Sequence, residues 1–331
     1  MKKIINNPAN FVEESIDGLI KSHPDVYAYA NDNNRVVTRA NKTSNKVGIV
    51  TGGGSGHLPV FTGYVGKGFL DACAIGSVFA SPSVEQMVSA IKNANNGNGV
   101  LCVIGNYGGD VMNFEMACEM VEAEGIKTKK IIVADDIASA NHKEKEKRRG
   151  IAGMIFVFKI AGGIAETGAS LEDVYNTALE ANNNIRTLGV ALSPCILPEV
   201  GKPTFEIKDD EIEIGMGIHG EPGIKREKLT TADEIVDDLF KRIIEDFNLN
   251  DKDNIALMIN SLGATPLEEL YIVSKRMNEN LSKLKINNLK SYVGRYATSM
   301  EMAGMSITIL KLSNNIKKYL FANSECPFWN N

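Results

Sequence analysis

The N-terminal half of the chain alternates short apolar runs with segments of helical periodicity. Three runs predict β-strands, at 46–50, 99–104 and 130–134, and each stops at a glycine-rich or acidic loop. Strands of this kind followed by helices are typical of βα units on a largely parallel sheet. Ligands bind at the carboxyl ends of the strands in such sheets. We therefore expect the glycine loops at 51–57 and 105–110 to line one crevice.

The second half continues the α/β pattern after a helix predicted over 171–184, which ends in an asparagine-rich stretch. We place a domain boundary there, with an N-terminal α/β domain at 1–184 and a C-terminal one at 185–331. A capping box formed by Thr231 and Glu234 opens a further helix, and another begins at Leu267. Alternation of apolar and polar residues predicts strands at 211–218 and 305–312, and a further strand is predicted at 254–260. After 188–192, three prolines predict an extended or looped chain. The predicted fold class is α/β, with two domains built on largely parallel or mixed sheets.

Composition excludes several classes of protein. The chain has 331 residues, 36 Lys plus Arg and 41 Asp plus Glu, for a net charge of −5; a nucleic-acid binder would need a basic face instead. The longest apolar stretch, 150–158, is too short to span a bilayer, and the first residues lack the apolar core of a signal peptide. The five cysteines form no CxxC pair, which indicates reduced, mostly buried thiols in a cytoplasmic protein. The charged run 142–149 predicts a solvated helix face.

Two of the four histidines lie in loops that resemble a ligand site. His57 closes a run of glycines at 52–56, and His219 precedes Gly220-Glu221-Pro222-Gly223. Glycine lets backbone N–H groups approach a ligand closely. Either histidine alone fits a structural or a catalytic role, but with Asp110 in a third glycine loop we expect one shared site. His23 and His142 lie away from such loops, and we interpret both as structural or surface residues.

The glycine loops match no nucleotide-binding motif. The loop at 52–56 lacks the GxxxxGK[ST] spacing, and Leu58-Pro59 stand where a dinucleotide fingerprint would need its third glycine. No set of His, Cys and Asp residues has the spacing of metal ligands. The residues leave a small-molecule site with a general base for a hydroxyl and a ring nitrogen that could add to a carbonyl.

At these residues the sequence resembles the dihydroxyacetone kinase K-subunit family. The motifs that carry the resemblance run in order from the N-terminus to the last predicted strand and so cover essentially the whole chain. They are Ser55-Gly56-His57, Gly63-Tyr64-Val65-Gly66-Lys67-Gly68, Phe79-Ala80-Ser81-Pro82-Ser83, Asn106-Tyr107 with Gly109-Asp110, Gly201-Lys202-Pro203-Thr204-Phe205, Gly217-Ile218-His219-Gly220-Glu221-Pro222-Gly223 and Leu262-Gly263-Ala264-Thr265-Pro266-Leu267.

The resemblance implies the K-subunit fold, a cytoplasmic homodimer and covalent binding of dihydroxyacetone or a similar short ketose. In the family, the histidine matching His219 adds to the C2 carbonyl to give a hemiaminal, and the residues matching His57 and Asp110 serve as the acid/base pair at the hydroxyl to be phosphorylated. The residues that match the family's substrate-binding loops are Gly54, Ser55, Gly56 and Gly105.

The resemblance also implies that this chain binds no cofactor itself. ATP or ADP with magnesium is expected on a separate nucleotide-binding L-type subunit, and a chain that ends soon after Trp329 is expected to lack a fused L domain. The phosphoryl donor, free ATP or a phosphotransferase-system protein, stays open. The resemblance implies no direct contact with nucleic acid or membrane.

The sequence departs from the family pattern near the expected site. Gly105 stands where the family usually has Lys, Gly108 where it has Thr, and Leu58 where it has Glu. Loss of the Lys removes a charge-assisted hydrogen bond to the substrate. Three interpretations remain: neutral drift, a four-carbon ketose such as erythrulose as substrate, or a non-catalytic sensor that acts as coactivator of a transcription regulator.

Overall fold

The computed structural model describes residues 2–329, which form two six-stranded sheets with helices between and outside them. The strands are β1 (Tyr27–Tyr29), β2 (Val36–Arg39), β3 (Gly48–Ser55), β4 (Ala72–Val78), β5 (Val100–Gly105), β6 (Thr128–Val133), β7 (Ile185–Ala191), β8 (Glu211–Ile214), β9 (Lys225–Lys228), β10 (Asn254–Ser261), β11 (Asn287–Gly294) and β12 (Gly304–Lys311). The helices are α1 (Phe11–Ser22), α2 (Val84–Ala94), α3 (Gly108–Ala123), α4 (Met154–Ala165), α5 (Leu171–Asn183), α6 (Ala232–Asp246), α7 (Leu267–Lys283) and α8 (Asn314–Leu320).

The first sheet has the strand order β1-β2-β4-β3-β5-β6. Its strands β4, β3, β5 and β6 are parallel, as the βα pattern predicts, while β1 and β2 extend it as an antiparallel edge. The carboxyl ends of β3, β4 and β5 therefore meet at one edge, and the loops that follow them lie together there.

The second sheet has the order β11-β10-β12-β7-β8-β9 and is mainly antiparallel. Only β10 and β11 are parallel, because α7 provides the crossover between them. The two sheets divide the chain at the end of α5, close to the predicted domain boundary, which stays a prediction. The capping box at Thr231 and Glu234 is present at the start of α6.

Helices cover both faces of the sheets. Helices α2 and α3 pack on one face of the first sheet, and α6 and α7 pack on one face of the second. Between the sheets lies a shared core in which every residue of α4 is buried. Strand residues of both sheets contribute to this core, for example Leu101 and Met258. No helix of the described residues 2–329 is long and apolar enough to cross a membrane.

The glycine run at 52–54 belongs to strand β3, so the prediction that the strand stops at Thr51 was wrong. Gly52, Gly53 and Gly54 pair with β4. A Cβ atom on Gly53 would lie 2.1 Å from the Phe61 ring, and one on Gly54 would lie 2.8 Å from the Ala80 nitrogen. These glycines are required for close packing against the protein itself.

The charged run 142–149 is exposed only in part. Residues 142–147 form a solvated 3₁₀ turn. Arg148, in contrast, is 1% exposed and makes a two-pronged contact with Asp246, with its Nη1 atom 2.9 Å from Oδ1. The prediction of a solvated face was wrong for Arg148, because the long side chain satisfies its charge inside the protein.

A buried ion network joins the start of the first sheet to α4. Asp71, just before β4, accepts hydrogen bonds from Arg39 at 2.9 Å, from Lys46 at 2.5 Å and from the backbone nitrogen of Ile49 at 2.9 Å. Glu166, just after α4, accepts a second hydrogen bond from Arg39 at 2.7 Å. The network fixes the strands β3 and β4 from which the loops at the sheet edge emerge.

Replacing Asp71 by asparagine should destabilise the protein by about 3–5 kcal/mol, because two buried cations lose their main counter-charge. The expected result is a clear fall in the urea midpoint followed by circular dichroism. Glu144→Gln, which removes an exposed partner of Lys147, is the matched control and should leave the midpoint unchanged. Equal midpoints for Asp71→Asn and the wild type would contradict the structural role of this network.

Candidate active site

Three separate segments bring the predicted site residues together at the edge of the first sheet. His57 follows β3, and Asp110 lies in the first turn of α3, directly after the loop that follows β5. His219 lies in the long connection between β8 and β9 of the second sheet. The rings of His57 and His219 are 4.6 Å apart and nearly perpendicular. The expectation of one shared crevice is therefore correct in its geometry.

His57 is fully buried and has one defined tautomer. Its Nδ1 atom lies 2.7 Å from the carbonyl oxygen of Thr298, and a carbonyl can only accept, so Nδ1 carries the proton. Burial and the neighbouring His219 lower the pKa of His57 to about 3, although the Thr298 carbonyl and Glu221 oppose the shift. The ring is neutral at physiological pH, and its Nε2 atom offers a lone pair that has no hydrogen-bond partner within the described chain.

Glu221 orients His219 in the corresponding way. The Nδ1 atom of His219 lies 3.0 Å from Glu221 Oε1, and the His219 backbone nitrogen donates to Glu221 Oε2 at 3.0 Å. Burial would raise the pKa of Glu221, but the hydrogen bond and charge of His219, together with Arg149, lower it to about 2. The carboxylate accepts a hydrogen bond from the Nδ1–H of His219. In this tautomer of the neutral ring, the lone pair lies on Nε2.

Arg149 holds the loop that carries His219. It donates to the Gly215 carbonyl at 2.9 Å and forms an ion pair with the buried Asp136 at 2.7 Å. Its Nη1 atom lies 3.9 Å from Glu221 Oε2. The loop from the second sheet is thus anchored to a segment of the first half of the chain.

Aromatic rings enclose the His219 imidazole. Phe79 stacks on His57 at 4.8 Å and meets His219 edge-on at 5.2 Å. Tyr107 meets His219 edge-on from another side at 4.8 Å. Its hydroxyl is buried without a hydrogen-bond partner in the described residues, and burial raises its pKa well above the usual value. The hydroxyl therefore remains a proton donor.

Asp110 is a carboxyl group suited to accept a proton. It is 5% exposed, and burial raises its pKa to about 6, although a hydrogen bond from Ser81 and the charge of His219 oppose the rise. Its Oδ1 atom is buried and finds no partner among residues 2–329. A pKa close to neutral is what general base catalysis requires.

Two buried polar atoms near His219 lack a partner in the described residues: His57 Nε2 and Asp110 Oδ1. Buried polar groups are normally hydrogen-bonded, so such exceptions mark a place for a ligand. The pair offers two acceptors beside the Nε2 lone pair of His219. It can bind a small polyhydroxyl compound whose carbonyl carbon faces a nucleophilic nitrogen.

The predicted glycine residues lie around this region, but not all as expected. Gly54 packs against the backbone of Phe79 and Ala80, and Gly56 packs against the Phe79 ring. With Ser55 they also line a neighbouring pocket of about 200 Å³. A Cβ atom on Gly105 would lie 3.3 Å from the Tyr107 ring and 3.2 Å from Met154 Sδ. The direction in which a side chain would leave Gly105 is therefore occupied by Tyr107 and Met154.

Four residues of this site had no assigned role in the sequence interpretation. Glu221 lies two positions after His219, and an acid that close to a candidate nucleophile could have been recognised as its orienting partner. Tyr107 and Phe79 lie in quoted motifs but carry no signal of ring packing. Thr298 is 241 positions from His57, and nothing in the sequence indicates their contact. Within residues 2–329 no group of three or more His, Cys, Asp or Glu residues could hold a metal ion.

Comparison with known proteins identifies the family of the chain. The chain matches the Dak1 domain over residues 17–328. It is 47% identical, over 314 residues and 95% of both chains, to the dihydroxyacetone-binding subunit DhaK of a PTS-dependent dihydroxyacetone kinase of Listeria innocua. It is 38% identical to an L-erythrulose kinase of Pectobacterium atrosepticum, covering 99% of this chain and 56% of that protein.

A solved structure is also similar throughout. The dihydroxyacetone kinase operon co-activator Dha-DhaQ superposes with a TM-score of 0.88 at 33% identity, covering 94% of this chain and 96% of that chain. The two-sheet architecture and the order of its strands are thus those of a known fold. On the family match and the identity over nearly the full length, the chain belongs to the Dak1 domain family, that of the dihydroxyacetone kinase K subunits.

Proposed function

We propose that this chain is the dihydroxyacetone-binding subunit of a dihydroxyacetone kinase and holds the ketose covalently on His219. The observation that carries the proposal is the Nδ1 contact of His219 with the Glu221 carboxylate at 3.0 Å. It leaves Nε2 free to attack a carbonyl carbon, and the carboxylate stabilises the positive charge that develops on the ring. Glycerol has no carbonyl and cannot be captured in this way.

In covalent capture, the Nε2 atom of His219 adds to the C2 carbonyl carbon of the ketose. A carbon–nitrogen bond forms, the carbonyl π bond breaks, and its electron pair goes to the oxygen, which takes up a proton. This proton comes from solvent, and the Tyr107 ring, edge-on to His219 at 4.8 Å, helps to hold the attacking imidazole in place. The Nδ1 proton of the adduct passes along the hydrogen bond to Glu221 and on to solvent. Its loss balances the proton taken up by the oxygen and leaves a neutral hemiaminal beside a charged Glu221.

Phosphoryl transfer requires a base at the terminal hydroxyl. We assign this role to Asp110, whose pKa of about 6 lies near the working pH. His57, with a pKa of about 3, is too weakly basic to keep the proton but accepts a hydrogen bond through Nε2 and orients the hydroxyl. The hydroxyl oxygen forms a bond to phosphorus while the bond from phosphorus to the donor breaks and Asp110 takes the proton.

The donor is proposed to be ATP, or a recharged ADP, with magnesium on a separate L-type subunit. Gly108 is exposed and His219 is partly exposed. We propose that the partner reaches the ketose from the surface where these two residues are accessible. We further propose a cytoplasmic homodimer. Its five free and buried cysteines support a reducing compartment.

A second candidate function is a ketose sensor that acts as coactivator of a transcription regulator. It is favoured by Gly105, which supplies no cation at the site, and by the similarity to the co-activator structure. The retained Asp110 favours the kinase, because a sensor has no use for a base. An erythrulose substrate is supported by the 38% identical L-erythrulose kinase.

Reconstitution with an L-type subunit tests the proposal. Wild-type chain, partner and donor should phosphorylate dihydroxyacetone in a coupled assay, with erythrulose run alongside. His219→Ala should reduce kcat/KM by at least about 100-fold, because the ketose is no longer fixed in place. His142→Ala, which changes an exposed histidine, is the matched control. Capture of the ketose without any transfer would contradict the kinase and favour the sensor.

Asp110→Asn should leave ketose capture intact while the rate of transfer falls by about 10²–10⁴-fold, as loss of a general base does. In the wild type, the rate should fall as the pH drops through about 6, where Asp110 becomes protonated. The rate falls with falling pH because only the ionised carboxylate of Asp110 can accept the proton of the ketose hydroxyl. A rate that is flat from about pH 5 to 8 would remove Asp110 from the mechanism.

A further inference from the structure

Two cysteines lie in contact on the strand and the helix that lead to the proposed site. Cys102 on β5 and Cys118 on α3 are 0% and 3% exposed, and their Sγ atoms are 3.8 Å apart. The sulfurs of the other three cysteines contact hydroxyl or carbonyl oxygens instead, as seen for Cys73, Cys195 and Cys326. Among the described contacts, Cys102 and Cys118 are the only two cysteines whose sulfurs contact each other.

The surroundings make the two thiols unequal. The hydrogen bond from Cys102 lowers the pKa of Cys118, and Thr128 and the charge of Lys130 lower it further, against the effect of burial. The same hydrogen bond, together with burial, raises the pKa of Cys102 well above its usual value. Cys118 is thus the thiolate of the pair and Cys102 the thiol, which is the division of roles found in reactive dithiols.

Cys118 lies next to the edge strand of the first sheet. Thr128 and Lys130 belong to β6, the edge strand of the first sheet, and Lys130 is exposed. Cys102 lies one strand further in, behind Cys118. An oxidant arriving from the sheet edge therefore meets the thiolate first, and the resolving thiol is already in contact with it.

We propose that Cys102 and Cys118 form a reversible disulfide when the protein meets a hydroperoxide. The sulfurs must approach from 3.8 Å to about 2.05 Å, the length of an S–S bond. That shift of about 1.8 Å is shared between side-chain rotation and a small displacement of α3 against β5. Larger oxidants such as glutathione disulfide are excluded from a pair this deeply buried.

The chemistry balances with the peroxide as the only added reactant. The Cys118 thiolate attacks one peroxide oxygen, the O–O bond breaks, and a sulfenic acid and hydroxide form. Cys102 then attacks the sulfenic sulfur, the S–O bond breaks, and the leaving hydroxide takes the Cys102 thiol proton and departs as water. The hydroxide of the first step is neutralised by the proton that Cys118 released on becoming a thiolate. Two thiols are oxidised to one disulfide while one hydrogen peroxide is reduced to two waters.

The disulfide would link the two elements that position the site. Strand β5 ends at Gly105, and α3 begins at Gly108 with Asp110 in its first turn. A displacement of α3 of the order of 1 Å moves the Asp110 carboxylate relative to His219, and misplacement on that scale costs about 10²-fold in rate. This consequence rests on the proposed function, whereas formation of the disulfide does not.

The test counts thiols in the full chain before and after exposure to hydrogen peroxide. The unfolded protein should lose two of its five thiols, the intact mass should fall by about 2 Da, and a peptide linking residues 102 and 118 should appear. Cys118→Ala should keep all four of its thiols at the same peroxide dose, whereas Cys102→Ala should lose only the Cys118 thiol, as a sulfenic acid, and form no linked peptide. Cys195→Ala is the matched control and should still lose two. Each variant is first compared with the wild type by circular dichroism.

Mass gains of one or more oxygens without the linked peptide, or loss of two thiols in Cys118→Ala, would overturn the disulfide. Ketose transfer by the oxidised wild type should fall by about 10–100-fold and return with dithiothreitol, while Cys118→Ala should be insensitive to peroxide. A disulfide that forms without changing transfer would overturn its coupling to the site. Since the thiol count involves no ketose, a failed kinase assay leaves the disulfide result readable.

Discussion

The site depends on a short contact between two distant segments, residues 56–58 and 298–300. The Met300 nitrogen donates to the Gly56 carbonyl at 2.8 Å, and the Thr298 hydroxyl donates to the Leu58 carbonyl at 3.1 Å. His57 Nδ1 completes the contact by donating to the Thr298 carbonyl at 2.7 Å. The segment 56–58 follows β3 of the first sheet, and the segment 298–300 lies between β11 and β12 of the second sheet. The contact thus aligns the two sheets and also fixes which nitrogen of His57 faces the ligand.

Burial and neighbouring charges then set the protonation states of the titratable side chains around His57. His57 is kept neutral, Asp110 is brought close to neutral pH, and Glu221 is kept charged by His219 and Arg149. Groups whose pKa values are driven apart by their surroundings can take different tasks in one reaction. A nucleophilic ring nitrogen, a hydrogen-bond acceptor and a base are obtained from ordinary side chains without a metal ligand set among the described residues.

Much of this arrangement could be predicted from the sequence, because it depends on local patterns. The βα pattern predicts the parallel core of the first sheet, and the Thr231 and Glu234 spacing predicts the capping box. The glycines beside His57 and His219 mark the two rings that the structure brings together. The functional assignment came from resemblance to a family, since periodicity alone stops at a small-molecule site.

What could not be predicted depends on tertiary packing. Gly53, for example, packs against the ring of Phe61 rather than against a ligand, and this contact depends on a residue in another segment. The burial of Arg148 requires Asp246, which is 98 positions away, and the tautomer of His57 requires Thr298. The roles of Tyr107 and Glu221 become apparent only when the orphaned polar atoms and ring contacts are known.

The most direct test of the account is the chemical state of a bound ketose. Carbon-13 NMR of dihydroxyacetone labelled at C2 distinguishes a ketone carbon from a tetrahedral one when bound to the isolated chain. We expect the wild type to convert the ketone signal to a hemiaminal signal, and His219→Ala to leave the ketone signal unchanged. A bound ketose that keeps its carbonyl carbon in the wild type would contradict covalent capture by His219.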